Sequence, residues 1–286
     1  MSQLLKANFI GCGKLGKTIA HLLNKNKLIQ MQDVYNRTVP SNEKAISFIE
    51  GGHACTDLNK LSHADLYFIS TPDDQIEEVC KKITSNEVTP KSIFVHFSGS
   101  LTSDILASAK DKGHEVCSLH PIRSFANPEE SAKSFDGTYC AFEGSDKAYS
   151  ILSEMISKIG GKVFTIQKEK KSVYHAAGVF ACNYLTTLAD FSSQCYLSSG
   201  IPEETSKKII VSLMRGTIEN ISNSKSLPDA LTGPIQRGDV NTIKKHIASL
   251  ESMSELEECY KMLGKATLKL SKVEALKKAE ILNELK

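Results

Sequence analysis

Several features are missing from this sequence, and each absence narrows what it does. No apolar run approaches the roughly 18 residues that a membrane-spanning helix requires, so no membrane span is expected. The opening stretch, MSQLLKANFIGCG, has no apolar segment long enough for a secretory signal. Cysteines occur at 12, 55, 80, 117, 140, 182, 195 and 259, and none forms a CxxC pair. Several sit inside apolar runs (Cys117 in EVCSL, Cys140 in TYCAF), where cysteine behaves as a small hydrophobe. No metal site is expected, and a reduced cytoplasmic compartment is the economical reading. An excess of one charge is also lacking: 35 Lys and Arg stand against 33 Asp and Glu, a net charge of +2. That balance gives no reason to expect nucleic acid or a membrane surface as partner.

What is present is an ordinary globular composition, 41% hydrophobic and 24% charged over 286 residues, enough for one large domain or two smaller ones. Short apolar runs suit strands: ANFIG (7–11), DVYNR (33–37), HAC (53–55), DLYFIS (65–70), SIFVHFS (92–98), EVCSLH (115–120), TYCAFEG (138–144) and KVFTI (162–166). Amphipathic stretches such as 17–27, 74–84 and 103–113 lie between them. Strands interleaved with helices imply βαβ units. The expected fold is α/β, with a Rossmann-like, doubly wound, mainly parallel sheet over residues 1–166. An all-α domain, expected to bear substrate residues and the dimer contact, follows over 167–286. There KSVYHAAGVFACNYLTTLADFSSQCYLSSG predicts one long helix ending at Gly200. Pro202 then opens another helix, 226–239 reads as a loop, and NTIKKHIASL and ELEECYKMLGKATLKLSK read as helices.

Gly11-Cys12-Gly13-Lys14-Leu15-Gly16 matches GxGxxG between a strand and a helix. In that context Gly11 permits the tight turn, Gly13 lets the backbone approach a pyrophosphate, and Gly16 allows close helix–strand packing. The helix N-terminus offers unpaired N–H groups to phosphate. In NAD-binding domains an acidic residue about 20 positions on accepts hydrogen bonds from the ribose hydroxyls. Asn36-Arg37-Thr38 stands there instead. A guanidinium matches a 2′-phosphate, with Asn36 and Thr38 as neutral donors, so NADP(H) is the expected cofactor. Ser70-Thr71-Pro72-Asp73 and Ser98-Gly99-Ser100 close the fourth and fifth strands, where ligands of open α/β sheets lie. Thr71, Pro72, Ser98 and Gly99 therefore suit the nicotinamide ribose and the substrate. Strand-to-loop capping suits the same hydroxyls.

A nicotinamide enzyme must also supply a proton and an anchor for substrate charge. Three places qualify. His120 and Arg123 sit within four residues at the end of the sixth strand; Arg123 would clamp a carboxylate and His120 would supply the proton. Alternatively His120 bonds loop backbone and Arg123 is a surface residue. His175 and Asn183 lie eight apart, roughly 80° around and about 12 Å along one helix. Histidine titrates near neutrality and suits a general acid, and Asn183 would hold a carbonyl or hydroxyl; a buried polar pair is the bland alternative. Thr232 and Arg237 lie in the glycine-rich stretch 231–239, which suits a substrate loop, a domain turn or a subunit interface equally.

GCGKLG, NRT, SGS, SLHP, YHAAGVFACNYL and ALTGPIQRGD together resemble bacterial proteins that join a Rossmann-like domain to a helical domain of the DUF2520 type. The resemblance spans nearly the whole chain, and its last two motifs are the most specific. These proteins are similar to the 6-phosphogluconate dehydrogenase C-terminal-domain-like superfamily, which includes pyrroline-5-carboxylate reductase and ketopantoate reductase. Asn183-Tyr184-Leu185-Thr186-Thr187 is similar to the Asn-Pro-Leu-Thr stretch of ketopantoate reductases, whose catalytic lysine lies eight residues earlier. His175 holds that position here, and Val179 replaces the family's intermediate asparagine. The ordinary mechanism therefore does not transfer. The chain also resembles a divergent group of ketopantoate reductases.

The resemblance implies an NADPH-dependent reductase of a small, carboxylate-bearing 2-oxo compound. The first candidate is 2-dehydropantoate, reduced to pantoate in pantothenate and coenzyme A biosynthesis. Reduction of a cyclic imine, as in pyrroline-5-carboxylate reductase, is the alternative, although that family's serine- and glycine-rich helix pattern is absent. A third reading is a non-catalytic NADP(H)-sensing or interaction protein. A homodimer through the helical half is expected, since the long helix is apolar on several faces.

Overall fold

A computed structural model describes residues 4–86 and 91–286. The chain divides into two compact units, residues 1–181 and 182–286. The strand-bearing texture of the sequence ends at 166, whereas the first unit continues through one more helix.

The first unit is built on a single eight-stranded sheet. Its strands are β1 (Leu5–Ile10), β2 (Ile29–Tyr35), β3 (His53–Cys55), β4 (Leu66–Ile69), β5 (Ile93–His96), β6 (Glu115–Pro121), β7 (Tyr139–Gly144) and β8 (Lys162–Thr165). They lie in the order β3-β2-β1-β4-β5-β6-β7-β8. All neighbours pair in parallel except β6 and β7, where Cys117 faces Gly144 and Pro121 faces Cys140. The order reverses between β1 and β4, which makes the C-terminal edge of β1 the topological switch point.

The central strands are buried on both faces, and alternate residues feed two separate cores. Phe9, Phe68, Val95 and Cys117 join one; Ile10, Tyr67, Ile69 and Phe94 join the other. Helices α1 (Lys14–Lys25), α2 (Val39–Ile49), α5 (Pro128–Lys133) and α6 (Asp146–Lys158) flank the unit. Ile19, Leu23, Ala45, Ile49, Leu152 and Ile156 bring α1, α2 and α6 to the first core. Helices α3 (Ile76–Ser85) and α4 (Ala107–Lys110) cover the other with Ile76, Val79, Ile83 and Ala109. Phe9 stacks on Phe68 at 4.4 Å and Tyr67 on Phe94 at 4.7 Å, within the range of favourable aromatic pairs. Cys12, Cys55, Cys80, Cys117 and Cys140 are buried free thiols, which agrees with their reading as small hydrophobes.

The single long helix expected over 171–200 is two helices. α7 (Lys171–Ala181) ends the first unit, and α8 (Asn183–Ser198) opens the second after a break at Cys182, whose φ is −117° and ψ −63°. The helical periodicity runs through this point without a proline or glycine to mark it. The second unit continues with α9 (Glu203–Asn223), α10 (Pro234–Arg237), α11 (Val240–Leu250), α12 (Ser254–Leu270) and α13 (Ala275–Glu284). The expected loop at 226–239 thus carries one short helix, α10, with a further helical turn at Leu227–Ala230. Ile243, Leu268, Ile281 and Leu285 form this unit's core. No helix among the described residues is long and apolar enough to cross a membrane.

Candidate active site

The glycine turn sits at the switch point. Gly11 has φ +81° and donates its N–H to the Tyr35 carbonyl at 2.8 Å. A Cβ there would stand 2.7 Å from the Thr71 backbone nitrogen, so glycine is required twice, by conformation and by space. Gly16 packs against Ser70, whose hydroxyl donates to the Gly11 carbonyl at 2.9 Å. A Cβ on Gly13 would meet nothing nearer than 3.9 Å, and α1 begins there without a side-chain cap or an acidic first turn. Its first N–H groups are thus open to an anion. Cys12 is 5% exposed, burial pushes its thiol up to about 12, and Leu15 packs on the same core. Cys12 therefore offers a ligand only its main chain.

Beside the turn, the Thr71 hydroxyl oxygen is buried with no hydrogen-bond partner. An unpaired buried hydroxyl is costly, and a ligand group would satisfy it. Pro72 is exposed and leads into a short helical turn at Asp73–Gln75. Arg37 is exposed and has no side-chain partner among the described residues. Thr38 has a different task from the one expected. It caps α2, accepting from the Ser41 N–H at 3.4 Å and donating to the Ser41 hydroxyl at 2.8 Å. Asn36 reaches the Ser41 carbonyl at 3.4 Å.

Strands β1, β4, β5 and β6 run in parallel, so their C-terminal ends share one edge. Ser98 at the end of β5 serves as a turn cap: its hydroxyl accepts from the Ser100 and Leu101 N–H groups and donates to Asp73 at 2.7 Å. That occupies the hydroxyl and favours the capping alternative over direct ligand contact. Gly99 is different. A Cβ on it would lie 2.5 Å from His175 Cδ2 and 2.9 Å from His120 Nε2. The two imidazoles, 6.0 Å apart at their centres, therefore converge on one glycine. His120 Nδ1 lies 2.7 Å from the Tyr174 hydroxyl.

Burial dominates the electrostatics here. It lowers His120 to about 4, with the charges of His175 and Lys171 adding to the effect. It raises the Tyr174 hydroxyl to about 12. His120 is thus a neutral imidazole and Tyr174 a protonated phenol at physiological pH. His175 is exposed to solvent. Neighbouring His96 is fully buried, bonded to the Thr102 carbonyl at 3.2 Å and to the Ser98 N–H, and burial lowers it to about 3.

Sequence reasoning passed over Tyr174 as an actor and missed Lys171, Glu143 and Asp73. Lys171 is buried at the start of α7, against Ser118 and Glu143. Burial lowers its ammonium to about 8 while the Glu143 carboxylate opposes that fall. A signal existed: Lys171, Tyr174 and His175 are spaced i, i+3, i+4, which places all three on one helix face.

Other expected site residues lie elsewhere. Arg123 donates to the Ser134 carbonyl at 2.5 Å, the Ser134 hydroxyl at 2.8 Å and Thr138 at 3.3 Å. Its Nη1 and Nη2 staple the segment between β6 and β7, while its buried Nε has no hydrogen-bond partner among the described residues; these contacts make it a structural tie where a carboxylate clamp was expected. Asn183, Thr232 and Arg237 are exposed residues of the second unit. The break at Cys182 also removes the one-helix geometry expected to relate His175 to Asn183.

The Rossmann-like domain family matches residues 2–121, and the domain of unknown function DUF2520 matches residues 138–267. No curated protein matches the sequence. Among solved structures, the protein TM1727 from Thermotoga maritima is similar over 93% of this chain and 98% of its own, at 26% identity and a TM-score of 0.76. BF3122 from Bacteroides fragilis, provisionally assigned as an NADP oxidoreductase, is similar over 93% of this chain and 98% of its own, at 21% identity and a TM-score of 0.73. Plasmodium falciparum pyrroline carboxylate reductase, solved with NADP bound, is similar over 99% of this chain and 98% of its own, at 14% identity and a TM-score of 0.60. At 21% and 14% identity the likeness is one of fold. The chain is therefore a Rossmann-like domain joined to a DUF2520 domain.

Proposed function

We propose that this protein is an NADPH-dependent reductase of a small carbonyl compound carrying a carboxylate. The reading is carried by one observation: His120, held by Tyr174, and His175 meet at Gly99 on the sheet edge that also bears the glycine turn. The residues present fit a dinucleotide. The uncapped start of α1 and open Gly13 suit a pyrophosphate, the unpartnered Thr71 hydroxyl suits a ribose or amide group, and unpaired Arg37 suits a 2′-phosphate. Nicotinamide, when bound, supplies the hydride.

The chain's own residues handle the proton. When the Tyr174 hydroxyl donates to His120 Nδ1, the remaining imidazole proton sits on Nε2, the atom beside Gly99. A neutral imidazole there polarises the substrate oxygen by hydrogen bonding and does not release its proton. His175, in contact with solvent, takes up a proton from water and delivers it to the forming alkoxide. His120 thus orients and His175 donates.

We favour 2-dehydropantoate as substrate because the chain resembles the divergent group of ketopantoate reductases, with His175 in place of the lysine of the ordinary enzymes. A second reading, reduction of a cyclic imine, is favoured by the fold shared with pyrroline carboxylate reductase. Purified protein with NADPH and either 2-dehydropantoate or 1-pyrroline-5-carboxylate, followed by nicotinamide absorbance, separates the two. Turnover of the oxo acid is expected. Turnover of the imine alone would transfer the assignment to the second reading. Tight NADPH binding without oxidation by either compound would replace both with a nucleotide sensor. We also infer that two copies pair through α8 and α9, which expose Tyr184, Leu197, Val211, Leu213, Ile218 and Ile221 to solvent.

A further inference from the structure

Behind the histidine cluster lies a charge that touches no solvent. Lys171, the first residue of α7, is 1% exposed. Its Nζ donates to the Ser118 hydroxyl on β6 and to Glu143 Oε1 on β7, the latter at 3.4 Å. Glu143 is filled from its other side by Ser103, whose N–H donates at 2.6 Å and whose hydroxyl donates at 2.8 Å. The Ser118 hydroxyl has one proton, and it passes this to the Ser98 carbonyl at 3.3 Å. That carbonyl belongs to the peptide bond leading into Gly99. A single ammonium therefore connects α7, β6, β7 and the turn beyond β5.

A buried ion pair is weak evidence for added stability, because desolvation offsets most of the attraction. Its better-attested effect is to select one geometry among several. Tyr174 and His175 follow Lys171 by three and four residues, so they share its helix face. Where the first turn of α7 rests determines where both reach the sheet.

We propose that Lys171 is a positioning residue for the cluster of His120, Tyr174 and His175. Its ammonium docks the start of α7 on β6 and β7, sets Tyr174 against His120 and His175 against Gly99, and keeps a positive charge behind the His120 imidazole. The groups that face His120 are Asp73 beyond β4, His96 of β5, and Lys171, Tyr174 and His175 of α7; on β7, Ala141 lies opposite it and Glu143, two residues on, is the counter-ion of Lys171. Asp73 alone draws a proton toward His120, and the lysine opposes it. The catalytic meaning of this role rests on the reductase reading, but the test does not.

The test is an NMR titration of the histidine ring protons in wild type and in Lys171→Met. A second variant, Lys171→Met with Glu143→Gln, avoids leaving a buried carboxylate uncompensated and keeps the test alive where the single substitution does not fold. In a folded variant His120 is expected to titrate about one pH unit higher, as loss of a nearby cation requires. NADPH affinity is expected to stay unchanged, and kcat to fall about tenfold with KM little altered. An unchanged His120 titration in a folded variant overturns the proposal, whatever happens to turnover. A wild type that turns over no substrate removes the reductase reading and leaves the titration to decide the role of Lys171.

Discussion

Replacing Gly99 by alanine tests the site most directly, because the perturbation is a single methyl group. The φ of Gly99 lies outside the left-handed region, so alanine brings no backbone strain and the effect is purely steric. The added carbon would lie 2.5 Å from His175 Cδ2 and 2.9 Å from His120 Cε1 and Nε2. Carbon atoms in contact sit about 3.5–4.0 Å apart, so His175 must retreat by about 1 Å and His120 by somewhat less. Turning each ring off its rotamer costs about 0.5–1.5 kcal/mol, a total destabilisation of about 1–3 kcal/mol. For a protein of this size that lowers Tm by several degrees, about 2–4 °C per kcal/mol. Displacement of a catalytic group by about 1 Å costs on the order of 100-fold in rate. Gly99→Ala is therefore expected to fold, to bind NADPH with unchanged Kd, and to lose about two orders of magnitude in kcat. Kd comes from nucleotide fluorescence and kcat from nicotinamide absorbance. Wild-type turnover in a folded Gly99→Ala protein would refute the assignment of the two histidines to the reaction.

Arg37→Ala is expected to raise KM for NADPH about tenfold, the value of one exposed charge-assisted hydrogen bond of roughly 1.5 kcal/mol, and to leave NADH kinetics unchanged; equal effects on both nucleotides would remove the 2′-phosphate role. Stability should depend on acid pH through the buried histidines. His120 and His96 fall from an ordinary 6.5 to about 4 and about 3, so the unfolded chain binds protons that the folded one refuses. Stability is then complete above pH 6.5 and is lost as pH falls toward 4, by on the order of 3 kcal/mol for a shift of this size. Thermal melts across that range should show the decline, with a shallower slope in His120→Asn; identical slopes would show that His120 does not contribute. Sedimentation should give a dimer of the 31.3 kDa chain. Leu213→Glu with Ile218→Glu should yield a folded monomer, and a persistent dimer would place the contact elsewhere.

Much of this protein follows from local pattern. The strands at 66–69 and 93–96 are short runs buried at every residue, and burial on both faces of a parallel sheet explains why they alternate so little. The glycine turn is equally local, because Gly11 needs a positive φ and a close neighbour whatever the rest of the chain does. Arg37, His120 and His175 stood out from position and chemistry; the structure leaves Arg37 exposed and brings the two histidines together at Gly99. Tertiary structure decided the rest. Whether Arg123 met a carboxylate or Ser134 depended on how the segment 122–138 folds back, and hydrogen bonding gave it to Ser134. The break at Cys182 falls at a position with no proline or glycine of its own, four residues beyond Gly178, which α7 carries without interruption. Lys171 lies in the charged run KEKK, where nothing local marks it for burial. It became buried because Ser118, Glu143 and Ser103, up to 68 residues away along the chain, converge where they satisfy an ammonium and its counter-ion. Local sequence sets the conformation of a segment, but the partner of a polar group is set by whatever the fold brings beside it, and here that placed two histidines on Gly99 and a tyrosine on one of them.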